Sequence, residues 1–210
     1  MAIAQHHESR GKILASALHA IRSKGYAATT VDDICCEAGV TKGSFFHHFK
    51  SKDEMAVGAV EYWNSMTEAF FASAPYQDAA DPLERLLGYI DFRNQIIQGD
   101  TADFTCLLGT LVQETYGSHE EIRKACEVGM TTHIEKLTLV IESAKAKYAS
   151  DATWSPTSVA FLIQAVLQGS FILTKATQNP EVIRESLDHI KRYLISLFDG
   201  HESTYLELKG

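Results

Sequence analysis

Apolar residues return every third or fourth position along almost the whole of this chain. No stretch alternates apolar and polar residues with the period of two that a half-buried strand needs. Ile13, Leu14, Ala17, Leu18 and Ile21 make one stripe; Met55, Ala59, Tyr62, Met66 and Phe70 make a second. Leu83, Leu86, Leu87 and Ile90 make a third, and Ile122, Cys126, Gly129, Met130, His133, Leu137 and Ile141 a long fourth. The expected fold class is therefore all-α.

Helix starts are marked independently of the stripes. Thr30-Val-Asp-Asp33, Ser51-Lys-Asp-Glu54 and Ser118-His-Glu-Glu121 each place a capping hydroxyl three residues before an acid. Asp81-Pro82, Ser155-Pro156 and Asn179-Pro180 each place a capping side chain before a proline at the first helical position, and Pro75 can end a helix. Together these predict about nine helices, at roughly 8–24, 31–38, 42–48, 52–73, 82–98, 104–117, 119–149, 156–178 and 180–199.

The chain has 210 residues, of which 45% are hydrophobic and 22% charged, enough core to fold without staples and too apolar for disorder. The cysteines, Cys35, Cys36, Cys106 and Cys126, form no CxxC pair and read as reduced thiols. The adjacent pairs His6-His7 and His47-His48 point to different sides of a helix, so no metal site and no cofactor is expected. The N-terminal residues lack an apolar signal core. The longest apolar stretch, 159–173, is interrupted by Gln164, Gln168 and Ser170 and falls short of the ~20 residues that span a bilayer. A cytoplasmic chain with no membrane partner is expected. HExxH, GxSxG, GxGxxG and phosphate-loop motifs are absent, which argues against an enzyme.

Residues 31–49 read VDDICCEAGVTKGSFFHHF. Val31, Ile34, Cys35 and Ala38 form the inward stripe of a short helix, and Gly39 stands where its end needs a left-handed residue. Thr41 can cap the next helix, whose Phe45 and Phe49 face inward and leave Lys42, Ser44 and His47 outward. This is a helix-turn-helix, whose second helix would enter a DNA major groove.

The segment KILASALHAIRSKGYAATTVDDICCEAGVTKGSFFHHFKSKDEM, within about Arg10 to Ala59, resembles the DNA-binding domain of TetR-family transcriptional regulators. The match runs in order through Lys24-Gly25-Tyr26, Thr29-Thr30-Val31, Ala38-Gly39-Val40-Thr41-Lys42-Gly43, His47-His48-Phe49 and Ser51-Lys52. It implies a DNA-binding domain at 1–52 and a larger helical ligand-binding and dimerisation domain at 53–210. Thr30 and Thr41 then donate to phosphates, and Lys42 and Lys52 neutralise them. Ser44 and His47 are the candidates for base edges, with Lys42 as a third, and Gly43 lets the backbone come close. Where many members carry a tyrosine on this helix, Phe46 stands here; it can pack on sugar or a thymine methyl but has no hydroxyl for a phosphate.

Charge is partitioned in the same way. The whole chain carries −8, yet residues 1–52 hold seven basic and four acidic side chains and five histidines. The reading head is thus +3 and the remainder −11, so overall acidity does not exclude a nucleic-acid partner.

The two last helices are apolar on more than one face. Val159, Phe161, Leu162, Ile163, Val166, Leu167, Phe171, Ile172 and Leu173 go nearly round the first, and Val182, Ile183, Leu187, Ile190, Tyr193, Leu194, Leu197 and Phe198 make a wide stripe on the second. One side can serve the chain's own core and the other a homodimer through 156–178 and 180–199. The resemblance further implies a pocket for a small-molecule effector. Its candidates are Trp63, Met66, Phe70, Phe92, Cys106, Tyr116, Met130, His133, Phe161, Gln164, Gln168 and Phe171, of which the polar His133, Gln164 and Gln168 are the sharpest. The function expected is that of a dimeric repressor that binds palindromic double-stranded DNA and is released by a small molecule. Two alternatives remain open: a thiol-based sensor of electrophiles or oxidants through Cys106 at a helix start, and a helical ligand-binding dimer that no longer reads DNA.

Overall fold

The computed structural model describes the backbone over residues 2–199 and the side chains over residues 8–198; the His6-His7 pair lies outside the described side chains. Among the described residues the chain forms ten α-helices and no strand. They are α1 (Ala2–Lys24), α2 (Val31–Ala38), α3 (Lys42–His48), α4 (Lys52–Ala72), α5 (Pro82–Gln95), α6 (Thr101–Phe104), α7 (Leu107–Thr115), α8 (Glu120–Tyr148), α9 (Pro156–Thr177) and α10 (Glu181–Asp199), with a short 3-10 turn at Pro75–Asp78.

Three expectations are corrected. The first helix begins at Ala2 rather than near residue 8, because no proline or glycine interrupts the polar residues that lead into it. The helix expected over 104–117 is shorter, α7 running from Leu107 to Thr115 behind an extended Cys106 cap (φ −82°, ψ 126°), and it is preceded by an unexpected single turn, α6, braced by the Asp103 carboxylate accepting from Asp100 N–H at 2.8 Å. Ser118 does not form a capping box, since its hydroxyl meets the His119 ring at Nδ1, 2.7 Å away. The caps at Thr30, Thr41, Asp81 and Ser155 form, each side chain accepting from a backbone N–H of the first turn.

The helices pack as two compact units. The first holds the chain up to Phe71 together with Thr105–Met130; the second holds Ala72–Phe104 and the chain from Thr131 on. The limit expected after residue 52 is therefore not a limit of packing: α4, α7 and the first part of α8 group with α1–α3. In the first unit Ile13, Leu14, Ile21, Ile34, Phe45, Met55, Leu107, Leu111, Ile122 and Cys126 form a continuous apolar core. Each such fully buried side chain contributes roughly 1.5–3 kcal/mol. Gly129 occupies the fourth sequence stripe because a Cβ there would stand 2.4 Å from Asn64 Oδ1 and 2.8 Å from Leu108 Cδ1, so only glycine lets α8 pass this close to α4 and α7.

In the second unit α10 packs along both α9 and α5. Its inward residues Ile183, Leu187, Ile190, Leu194 and Phe198 keep the three-to-four spacing of one helix face. Lys191 pairs with Asp91 at 2.6 Å, and Asp81, the α5 cap, takes Lys147 at 2.7 Å and the Tyr148 hydroxyl from the end of α8. The stretch read as too short for a membrane lies in a 22-residue helix, α9, which by length and composition is long and apolar enough to cross one. It buries Gln164, Ser170 and Thr174 on the side that also buries Ile163, Leu167 and Phe171.

Candidate nucleic-acid interface

The reading head is built from caps and one left-handed residue. Thr30 closes a full capping box: its hydroxyl oxygen accepts from Asp33 N–H at 3.1 Å, and Asp33 Oδ2 accepts from Thr30 N–H at 2.9 Å. Lys24, 2.7 Å from Asp33, and the bonds from Thr30 hold that carboxyl well below the usual carboxylate range. Because the Thr30 hydroxyl also donates to Asp33 at 2.8 Å, it is already engaged in the cap. At the end of α2, Gly39 takes φ 64°, and Val40 N–H bonds Cys35 O at 3.0 Å, which turns the chain sharply into α3. Thr41, exposed at the start of α3, accepts from Ser44 N–H at 3.1 Å.

Within α3 the i, i+4 spacing separates core from surface. Phe45 is 0% exposed, and Phe49, which caps the helix, is 2% exposed, with ring centroids 5.7 Å apart. Thr41, Lys42, Gly43, Phe46 and His47 are exposed and Ser44 is half-buried, so the outward face contains six of the expected DNA residues side by side. Phe46 is 54% exposed, a large apolar ring set among polar side chains on a helix surface, standing edge-on to Phe45 at 5.2 Å. Lys42 pairs with Asp32 across the two helices at 2.7 Å, and that carboxylate raises the Lys42 pKa. His48 turns back to Ser9, with Nε2 2.7 Å from the hydroxyl, and ties the end of α3 to α1.

Lys52 belongs elsewhere. Its ammonium donates to Tyr26 O at 2.6 Å and lies 4.1 Å from the centroid of the Tyr26 ring, and burial lowers its pKa. It braces the α1–α2 turn rather than standing clear on the surface of α3.

The effector candidates are divided between the two units. Trp63, Met66, Phe70, Cys106, Tyr116 and Met130 belong to the first unit, and Phe92, His133, Phe161, Gln164, Gln168 and Phe171 to the second. Trp63, Cys106 and Met130 pack against the first unit's core, with Arg22 5.0 Å from the Trp63 ring centroid. Tyr116 is 70% exposed, which corrects its reading as an inward residue; it is the C-cap of α7, one residue beyond Thr115. Met66 and Phe70 are likewise exposed on α4, and Phe161 on α9. In the second unit His133 Nε2 lies 2.9 Å from the Tyr89 hydroxyl, while Tyr76 packs on both Tyr89 and Phe92 at 5.7 Å. Burial, then the nearby Arg93 and Lys136 charges, pushes the His133 pKa down to about 3. Sequence reasoning missed Tyr76, Tyr89 and Arg93; the i, i+4 spacing of Tyr89 and Arg93 on α5 was the available signal. Gln164 Oε1 and Gln168 Nε2 are buried without a hydrogen-bond partner.

All four cysteines are free thiols. Burial and the neighbouring Cys106 push the Cys126 thiol up to about 12. Cys106 is half-buried at the start of α7 and its side chain makes no capping bond.

Comparison with known proteins agrees with this geometry. Residues 13–59 match the family profile described as bacterial regulatory proteins, tetR family, and residues 82–190 match the tetracyclin repressor-like C-terminal domain. The HTH-type transcriptional repressor NemR of Escherichia coli is 25% identical over 195 residues, 90% of this chain and 94% of NemR. The uncharacterized HTH-type transcriptional regulator YerO of Bacillus subtilis is 31% identical over 124 residues, 56% of this chain and 40% of YerO. The fold is similar to that of a TetR-family regulator from Agrobacterium tumefaciens, with a TM-score of 0.79 at 22% identity over 90% of this chain and 98% of that one. With a capped helix-turn-helix at its N-terminus and both family profiles matched, this chain belongs to the TetR family of bacterial transcriptional regulators.

Proposed function

We propose that the chain is a cytoplasmic, ligand-released repressor that binds a palindromic operator as a homodimer. The observation that carries this reading is the outward face of α3, where Thr41, Lys42, Gly43, Ser44, Phe46 and His47 are presented together on a helix fixed to the core by Phe45 and Phe49. Placed in a major groove, α3 and its cap supply Ser44 and His47 to base edges, Lys42 and Thr41 to phosphates, and Phe46 to a sugar or a thymine methyl. Residues 1–52 act as reader and 53–210 as sensor and dimeriser. The second copy is held by the apolar surface that α9 and α10 leave outward: Phe161, Leu162, Ile172 and Leu173 on α9, and Tyr193 on α10. In the second unit, the neutral His133 and the buried amides of Gln164 and Gln168 are the groups that a small effector would meet.

The test is selection of bound duplexes from a random DNA pool. Recovery of an inverted repeat supports the reading, whereas no enrichment at low salt turns it toward a helical dimer that no longer reads DNA.

A second reading rests on Cys106. A half-buried thiol at the N-cap of α7, without a capping bond, lies at the positive end of a helix dipole and is suited to sensing electrophiles or oxidants. Mild alkylation of the native protein followed by mass spectrometry decides it; an unmodified Cys106 removes the idea.

A further inference from the structure

The turn between α1 and α2, residues 25–30, is held by a side chain of α7. Glu114, near the end of α7, places one carboxylate oxygen 3.1 Å from Tyr26 N and the other 2.8 Å from Ala27 N, so both backbone N–H groups donate to one side chain 87 or more residues away in sequence. The preceding residue is shaped around this contact. Gly25 has φ +87°, and a Cβ there would stand 2.4 Å from Glu114 Oε1. A glycine at this point thus serves both the left-handed backbone and the approach of the carboxylate.

The far side of the same turn is held by the start of α4. Tyr26 O accepts from Lys52 Nζ at 2.6 Å, and the Tyr26 hydroxyl donates to Asp53. His119, just before α8, packs its ring edge-on to Tyr26 at 5.5 Å. The turn joins directly to the helices that position the reader. Gly25 N–H still bonds Ile21 O at the end of α1, and the buried Thr29 donates to Gly25 O at 2.6 Å just before the Thr30 cap of α2. All these residues lie in one compact unit. A displacement of α7 therefore carries the end of α1 and the start of α2 with it.

Only a carboxylate of this length meets the turn. Glutamine offers one acceptor oxygen for two donors, and its amide nitrogen opposes the second N–H. Charge-assisted bonds of this kind are the stronger class, and their loss leaves two backbone donors to water.

We propose that Glu114 is a positioning residue for DNA recognition: by fixing the reading head on α7 it sets the half-site spacing that the dimer accepts. This rests on the dimeric reading above. A dimer bound to two half-sites matches their separation to the distance between its heads, so a head held in one orientation discriminates against a shifted half-site, and a loosened head does not.

The experiment uses the full-length protein with Glu114→Ala and Glu114→Gln. Hydrogen exchange on the free proteins is expected to be about tenfold faster over residues 25–29 in Glu114→Ala, with residues 42–49 and 181–198 unchanged, which shows that the fold is intact. Binding is then measured on the inverted repeat selected by the wild type, on the same half-sites moved apart or together by one and two base pairs, and on a single half-site. The wild type is expected to lose about 30-fold or more on a one-base-pair shift and Glu114→Ala about threefold or less, with equal single half-site affinity and Glu114→Gln between them. Unchanged exchange at 25–29 overturns the inference, as does faster exchange with a wild-type spacing profile. If the wild type selects no repeated half-site at all, the dimeric reading itself fails and the inference fails with it.

Discussion

Asp32, in the first turn of α2, holds the ammonium of Lys42, the first residue of α3, at 2.7 Å. Both side chains are more than half exposed, so the pair is solvated and adds little to stability. In the proposed docking, Lys42 would reach a phosphate only by exchanging one anion for another. Lys42→Ala should weaken binding to all sequences and lower the slope of log affinity against log salt by about 0.9, with little change in Tm. Asp32→Ala should tighten binding to non-specific duplexes more than to the selected repeat. Fluorescence anisotropy across a salt series checks both, and an unchanged slope in Lys42→Ala would remove that residue from the interface.

His133 gives a pH signature. Its folded pKa, about 3, is lower than its ordinary value of 6.5, so below pH 6.5 the unfolded chain takes up a proton that the folded chain refuses. The contribution is therefore intact above pH 6.5 and is lost progressively as pH falls toward 3. The slope approaches about 1.4 kcal/mol per pH unit for this one group. In NMR spectra the His133 ring should not titrate between pH 8 and pH 5. In His133→Gln the acid-side loss of stability should be smaller; an equal loss in both proteins would place its origin elsewhere.

The outward apolar face of α9 should be separable from the fold. Phe161 and Leu173 are each 53% exposed in the protomer. Phe161→Glu and Leu173→Glu should yield folded monomers by sedimentation equilibrium, with helical circular dichroism retained and affinity for the inverted repeat reduced at least tenfold. Dimers of normal stability in both variants would move the interface off α9.

Two glycines of the reading head should respond in opposite ways. Gly39 has φ 64°, so Gly39→Ala should cost about 1 kcal/mol and lower Tm. Gly43 lies in α3 with its nearest neighbour, Thr41 Oγ1, 3.7 Å from where a Cβ would stand. Gly43→Ala should therefore leave Tm unchanged or raised, since alanine is the better helix former, while weakening DNA binding through lost backbone approach. A Gly43→Ala protein that binds normally shows that the α3 backbone does not come close to DNA.

The all-α class and most helix limits were legible in the sequence because they rest on local rules: apolar spacing, caps and prolines. The helix-turn-helix was legible for the same reason, with Gly39, Thr41 and Phe45 each doing at short range what its type predicts. What escaped were partnerships set by packing. Lys52 reads as a surface cation until Tyr26 is placed beneath it, and Tyr116 reads as inward until α7 is seen to end one residue earlier. Glu114 carries no local signal at all, because its partners are backbone groups at Tyr26 and Ala27. The single turn α6 was missed because four residues are too few to show an apolar spacing.

Since Leu107, Leu111, Ile122 and Cys126 complete the same core as Ile13, Phe45 and Met55, the reader cannot be cut out of this chain. A fragment ending at residue 52 or 71 would leave that core open to water on the side α7 and α8 close. The units are interleaved in sequence: the chain passes from one to the other after Phe71, after Phe104 and after Met130. Exchange of readers between relatives would have to transplant two separate stretches at once, and a graft of the first alone should yield an insoluble product.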